Sequence, residues 1–184
     1  MIYNINTYEF DNKCRYVLGN PQNNPLIVFG INPSIANDKN KDHTISKVMG
    51  FAEGNNFDSF IMLNIYPQIS TDVKNLHLEF NPNIHLKNLE HIKKIFNRFS
   101  NSTILASWSN NISSRKYLKS CLEQIFIISK NYDFKWLHLG NLTKEGHPRH
   151  PSRTSYSVKL NNFDIEKYLK NTDTLAKFVK RYRL

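Results

Sequence analysis

The feature that most constrains this chain is Leu26-Ile27-Val28-Phe29-Gly30-Ile31-Asn32-Pro33-Ser34. An apolar run stops at a glycine and gives way to Asn-Pro-Ser. An unbroken apolar run of this kind reads as a strand buried on both faces, as in a parallel sheet covered by helices. Such a strand carries its polar turn to the carboxyl edge of the sheet, where open α/β folds bind ligands. Three later segments repeat the design. They are Ile61-Met62-Leu63-Asn64, Ile104-Leu105-Ala106-Ser107-Trp108-Ser109, and Trp136-Leu137-His138-Leu139-Gly140. The last leads into Gly146-His147-Pro148-Arg149-His150-Pro151-Ser152-Arg153. Four strands with four polar tips predict one site assembled from distant parts of the chain.

Helices are expected between the strands. Thr44 is a candidate N-cap for a helix carrying Ile45, Val48, Met49 and Ala52 on one face, ended by Gly54-Asn55-Asn56. Leu86, Leu89, Ile92, Ile95, Phe96 and Phe99 fall at helical spacing across residues 85–99. Residues 113–123 read as a third helix, with Phe126-Ile127-Ile128 either continuing it or starting a short strand. Residues 163–182 read as a terminal helix with a basic end, Lys177, Lys180, Arg181 and Arg183. Residues 1–24 read as a short hairpin or an N-terminal arm. The expected architecture is a single α/β domain over residues 1–184. It has three layers around a mostly parallel four-stranded sheet, with strands at 26–31, 59–64, 103–107 and 135–139.

Charge narrows the partner. Lys and Arg number 25 against 15 Asp and Glu in 184 residues, a formal net charge of +10. An excess of this size favours a polyanion, nucleic acid before a membrane surface. Cys14 and Cys121 are far apart and form no Cys-x-x-Cys pair, so a four-cysteine metal or iron–sulfur site is excluded. Two isolated thiols suit a reducing compartment. The N-terminal residues show no basic segment followed by an apolar run, and no apolar stretch approaches the roughly 20 residues of a spanning helix. The expectation is a cytoplasmic monomer with no membrane association and no metal or organic cofactor.

Three of these motifs carry a resemblance. Asn32-Pro33-Ser34, Asp42-His43-Thr44 and Gly146-His147-Pro148-Arg149-His150-Pro151 are similar to the pattern of an uncharacterised bacterial and phage family. Over roughly residues 26–156 the chain resembles the uracil-DNA glycosylase superfamily. Gly30-Ile31-Asn32-Pro33 is similar to the motif of its mismatch-specific thymine/uracil branch, which implies that Asn32 positions an attacking water. The Asp that classical uracil enzymes carry nearby is absent. An amide is no strong general base, so the resemblance implies a rate drawn from stabilising an oxocarbenium-like sugar and a departing base anion. Leu63-Asn64 resembles the motif whose Asn reads a flipped pyrimidine, since one amide offers a donor and an acceptor. Ser107-Trp108-Ser109 matches a Leu-Trp-Gly motif only at the Trp. His150-Pro151-Ser152 resembles a His-Pro-Ser-Pro motif with Arg153 in place of the second Pro. There the His stabilises the leaving base, and the residues that follow, here Arg153 to Tyr156, wedge into the duplex.

Each residue has a plainer reading. Asn32 also suits a simple Asn-Pro turn, and Asn64 a strand–loop hydrogen bond. His147 and His150 also suit loop histidines, or a two-His metal site completed by Asp42 or His43. Trp108 and Phe51 suit the core as well as a stacking surface. Weighed together, the expected protein is a monofunctional DNA glycosylase acting on a uracil-like or modified pyrimidine, in base repair or defence against modified phage DNA. Asn32 and His150 are its expected catalytic residues. Asn64, Ile31 and Tyr66 are expected to recognise the base. Lys144, Arg149, Ser152, Arg153 and Tyr156 are expected to hold DNA. The alternatives are a nucleotide- or nucleoside-processing hydrolase using the same pocket, and a DNA-binding module of the same fold without catalysis.

Overall fold

The computed structural model describes residues 1–171. The apolar runs form the parallel centre of a mixed sheet. Strands β3 (Pro25–Gly30), β4 (Ser59–Asn64), β5 (Thr103–Ala106) and β6 (Lys135–Leu139) lie in the order β4-β3-β5-β6, all parallel. The sheet has seven strands rather than the expected four. A hairpin of β1 (Thr7–Phe10) and β2 (Arg15–Gly19) adds antiparallel to β4, and β7 (Leu160–Asn162) adds antiparallel to β6. The outermost strands are four and three residues long, too short to show a hydrophobic period. Short outermost strands also leave little free edge for pairing with another chain.

Leu26, Ile27, Val28 and Phe29 are all fully buried because both faces of β3 are covered. Leu26, Val28, Phe60, Met62 and Leu105 point to helix α1 (His43–Gly54) and pack on Ile45, Val48, Met49 and Ala52. Ile27, Phe29, Ile61, Leu63 and Ile104 point the other way. They meet Leu89, Ile92 and Phe96 of α2 (Pro82–Arg98) and Leu118, Leu122 and Ile125 of α3 (Lys116–Ser129). The segment Phe126-Ile127-Ile128 therefore belongs to a helix. The cap of α1 is Asp42, not Thr44: its Oδ1 accepts from Ile45 N at 2.8 Å. Asn81 caps α2 with Pro82 at its first turn, starting that helix three residues before the apolar period does. Of the expected terminal helix, Ile165–Lys170 is α4, and the basic end lies outside the described residues. No helix among the described residues is long and apolar enough to cross a membrane.

The strand order fixes where a ligand can enter. From β3 the chain crosses through α1 to β4 on one side, then returns through α2 past β3 to β5, and continues through α3 to β6. Right-handed crossovers in opposite directions put α1 on one face and α2 and α3 on the other. The loops leaving β3 and β5 thus part toward opposite faces and open a crevice at the carboxyl ends of these two strands.

Candidate functional site at the strand switch point

A cleft of about 210 Å³ occupies this crevice. Gly30, Ile31, Asn32 and Ser34 line it from the end of β3, and Trp108, Ser109 and Asn111 from the end of β5. His150, Ser152 and Arg153 come from the loop after β6, and Asp42, Thr44 and Ile45 from the start of α1. Its size is below the roughly 300–1,000 Å³ of pockets for drug-sized ligands, and suits a single heterocycle.

Asn32 is held by the loop after β4. Its Nδ2 donates to Ser70 O at 2.8 Å and to Pro33 O at 3.0 Å, while Ser70 N donates back to Pro33 O at 2.9 Å. With the amide donors committed to backbone, its Oδ1 has no protein donor among the described residues. The group left for a ligand or water is an acceptor.

His150 presents the opposite polarity. Ser152 N donates to its Nδ1 at 3.3 Å, and Ser152 Oγ lies 2.7 Å from the same atom. A backbone N–H can only donate, so Nδ1 is the acceptor and the ring proton belongs on Nε2. Burial, with the Arg153 charge beside it, lowers the His150 pKa to about 4. His150 is therefore a neutral imidazole at pH 7 with Nε2–H as its donor.

Ser109 has φ +54°, a left-handed conformation rare for a residue with a side chain. Its N–H donates to Pro148 O at 2.8 Å, tying the β5 loop to the loop that bears His150.

The other expected site residues fall in three places. Ile31, 5% exposed, and Ser152 line the cleft. Lys144, Arg149 and Arg153 line an adjoining hollow of about 300 Å³ that shares Ser109, His150 and Arg153 with the cleft; Arg149 Nε is oriented by Asn141 O at 2.8 Å. Tyr156 lies outside both hollows, its ring on Gly50 of α1, where any Cβ would come within 2.5 Å of it, and under Lys47 Nζ at 3.6 Å.

Asn64 and Tyr66 do not line the cleft. Asn64 is fully buried, and neither atom of its amide has a hydrogen-bond partner. It pairs with Gly30, and its Oδ1 is 3.2 Å from where a Gly30 Cβ would stand; the Met62 methyl is 2.7 Å from the same point. Met62 lines the cleft, so Asn64 lies beside the floor that Met62 and Gly30 form. Tyr66 faces the α2–α3 core, with its hydroxyl against His77 Nδ1 at 2.9 Å and its ring on Tyr117. The strand pairing continues past β4, Ile65 N to Gly30 O and Tyr66 N to Ile31 O, and alternation turns the Tyr66 side chain away from the cleft.

Trp108, which lines the cleft, and His147 are joined through Tyr168. Trp108 Nε1 donates to Tyr168 Oη at 3.1 Å, and that hydroxyl lies 2.8 Å from His147 Nδ1, so the relay pins the His-Pro loop to α4. Phe51 is a core residue on the buried face of α1. Among the described residues no three His, Cys, Asp or Glu side chains are grouped to hold a metal ion. Cys14 and Cys121 are buried free thiols whose pKa values burial raises, leaving neither a nucleophile at neutral pH.

Residues 15–152 match the family described as "Protein of unknown function (DUF1643)". The chain belongs to this family. No curated protein and no solved structure matches it. The DUF1643 span runs from the start of β2 to the turn after β6 and contains every cleft-lining residue except Arg153. Sequence reading missed several of these, above all Arg15, Met62 and the Ser70-Thr71 segment. Arg15 sits in a short edge-side strand without a hydrophobic period, and Ser70 takes part through its backbone, which no side-chain pattern reports.

Proposed function

We propose that this DUF1643 protein is a monofunctional DNA glycosylase that hydrolyses the N-glycosidic bond of a uracil-like or modified pyrimidine. One observation carries the reading. Asn32 and His150, from separate ends of the sequence, face one small cleft with an acceptor on one and a neutral N–H donor on the other. The target nucleotide leaves the stack to reach such a recess. The bond from C1′ to the base nitrogen breaks, and its electron pair departs with the base. His150 Nε2–H donates to the base carbonyl on which that charge accumulates. A neutral donor suits an anionic leaving group without having to lose its own proton. Water held by Asn32 Oδ1 adds to C1′, and its proton passes to solvent.

Asn64 recognises the pyrimidine edge in this reading once the Met62 side chain swings off Gly30. Its unpartnered amide supports that role, because a buried polar group without a partner costs stability until something meets it. The base is left open between uracil, thymine and a bulkier phage-type modification, and the setting between repair and defence.

The test is incubation with DNAs carrying different modified pyrimidines, followed by mass spectrometry of released base and alkali cleavage of the product. Release of a free base with strand breaks only after alkali is the expected result. Free base from none of the DNAs, with turnover of a free nucleotide or nucleoside, transfers the cleft to a metabolite hydrolase.

A further inference from the structure

Arg15 opens β2 with its N–H on Pro67 O at 3.0 Å, and its side chain passes under the cleft. It is 2% exposed. Of the five N–H donors on a guanidinium, only Nη1 has a protein acceptor among the described residues, Ala36 O at 2.5 Å. Nε is buried and has none. No carboxylate is in ion-pair contact with Arg15 among the described residues. Asp42 lines the same cleft, but its Oδ1 caps α1 by accepting from Ile45 N. Burial lowers the Arg15 pKa, with the Asp42 charge as the main opposing influence.

A buried cation without a counter-charge is expensive, and arginines in that state are normally paired. Here the cation whose Nε is unmatched lines the cleft at the strand switch point. Ser34 and Thr44 also line the recess, and Arg153, an exposed residue, adds a second positive charge. Two guanidiniums against one carboxylate leave the cleft cationic, and a planar guanidinium fork matches two oxygens of an oxyanion.

We propose that Arg15 is the anion-binding residue of the cleft and that its ligand carries a phosphate-class oxyanion attached to the group being processed. This deepens the proposed function by naming a second half of the substrate. It rests on this cleft being the substrate site and not on which bond breaks there. The phosphate belongs either to the flipped nucleotide of a DNA strand or to a free nucleotide.

The experiment measures binding by calorimetry, so it does not depend on turnover. The probes are 2′-deoxyuridine, 2′-deoxyuridine 5′-monophosphate, inorganic phosphate and a short uracil-containing single strand. The proteins are wild type, Arg15→Met and Arg153→Ala. The wild type is expected to prefer the nucleotide over the nucleoside by about thirtyfold or more, the scale of one buried charge pair. Arg15→Met is expected to erase that preference, and Arg153→Ala to keep most of it. Methionine fills much of the same space and removes a buried charge, so the variant should fold. If it does not, the wild-type comparison of nucleotide with nucleoside still decides. Equal affinity for the two, or an unchanged preference in Arg15→Met, overturns the proposal. Loss of strand binding in Arg15→Met assigns the phosphate to DNA. Loss confined to the mononucleotide keeps Arg15 in its role and overturns the glycosylase reading instead.

Discussion

The side-chain amide of Asn32 donates to the backbone carbonyl of Ser70 at 2.8 Å, across 38 residues of sequence. This bond fixes which end of the amide faces the cleft. Asn32→Asp removes both donors and turns carboxylate oxygens toward the Ser70 and Pro33 carbonyls. The expected cost is about 1–3 kcal/mol at neutral pH from unsatisfied acceptors, or several degrees in Tm. Part of it should return on acidification, as the carboxyl regains a proton to donate. Asn32→Ala should lower base release on the order of 10²-fold or more while DNA affinity holds. A two- to threefold effect (about half a kcal/mol) in that variant means that Asn32 only shapes the turn.

The pH dependence of stability follows from His150. Its pKa falls from an ordinary 6.5 to about 4 in the folded protein because burial and Arg153 disfavour the cation. The unfolded chain therefore binds a proton through this window that the folded protein refuses, and stability declines as pH falls from 6.5 toward 4. His85 has its pKa lowered to about 4 by burial and acts in the same direction. Chemical denaturation across pH 4–7 should show this slope, and His150→Gln should make it shallower. Base release should show no loss attributable to His150 down to about pH 5. A rate that requires protonated His150 overturns its neutral role.

Ser109 has a φ of +54°, a value that glycine adopts without steric cost. Ser109→Gly relieves about 1–2 kcal/mol of left-handed strain and gives back roughly 0.5–1 kcal/mol through a freer unfolded chain. A net gain of about 0–1.5 kcal/mol is expected, read as a Tm rise of about 2–4 °C per kcal/mol. Ser109→Val should lower Tm. If Gly and Val behave alike, the left-handed backbone is not a source of strain.

These cases show what the sequence could and could not reveal. The four parallel strands were legible because each is buried on both faces, so Leu26 to Phe29 carries no polar interruption. The tips were legible because Asn-Pro-Ser and His-Pro-Ser end those strands. The flanking strands were not, since Arg15-Tyr16-Val17-Leu18-Gly19, between β1 and β4, is buried throughout and too short to show a period. Tyr66 turns away from the cleft because the strand pairing continues past Asn64, the end of β4, and alternation decides the face. Asn64 stands at the sheet edge that Leu63-Asn64 predicts, but its packing beside Gly30 and the Met62 methyl is a tertiary contact that no local pattern encodes. Arg15 joins the site through a fold-dependent property, a buried Nε with no protein acceptor, which no local pattern encodes.

The remaining prediction concerns the rim. Lys144, Arg149 and Arg153 surround a hollow continuous with the cleft through Ser109 and His150, and all three are exposed. Exposed cations bind phosphates by displacing counterions, so their contribution scales with salt and not with base identity. Each single alanine variant should lower the slope of log Kd against log salt by about 1 and leave the choice of released base unchanged. Glu145, next to Lys144 in sequence, accepts through Oε2 from Nδ2 of Asn110, which lines the hollow, at 2.7 Å. Glu145→Gln keeps that bond and removes a repelled charge, so it should tighten DNA binding at low salt. Asn64→Ala should show the converse pattern, an altered choice of base with the salt slope intact. Three alanine variants with wild-type slopes place the DNA path elsewhere, and duplex binding undetectable at low salt removes DNA as the partner.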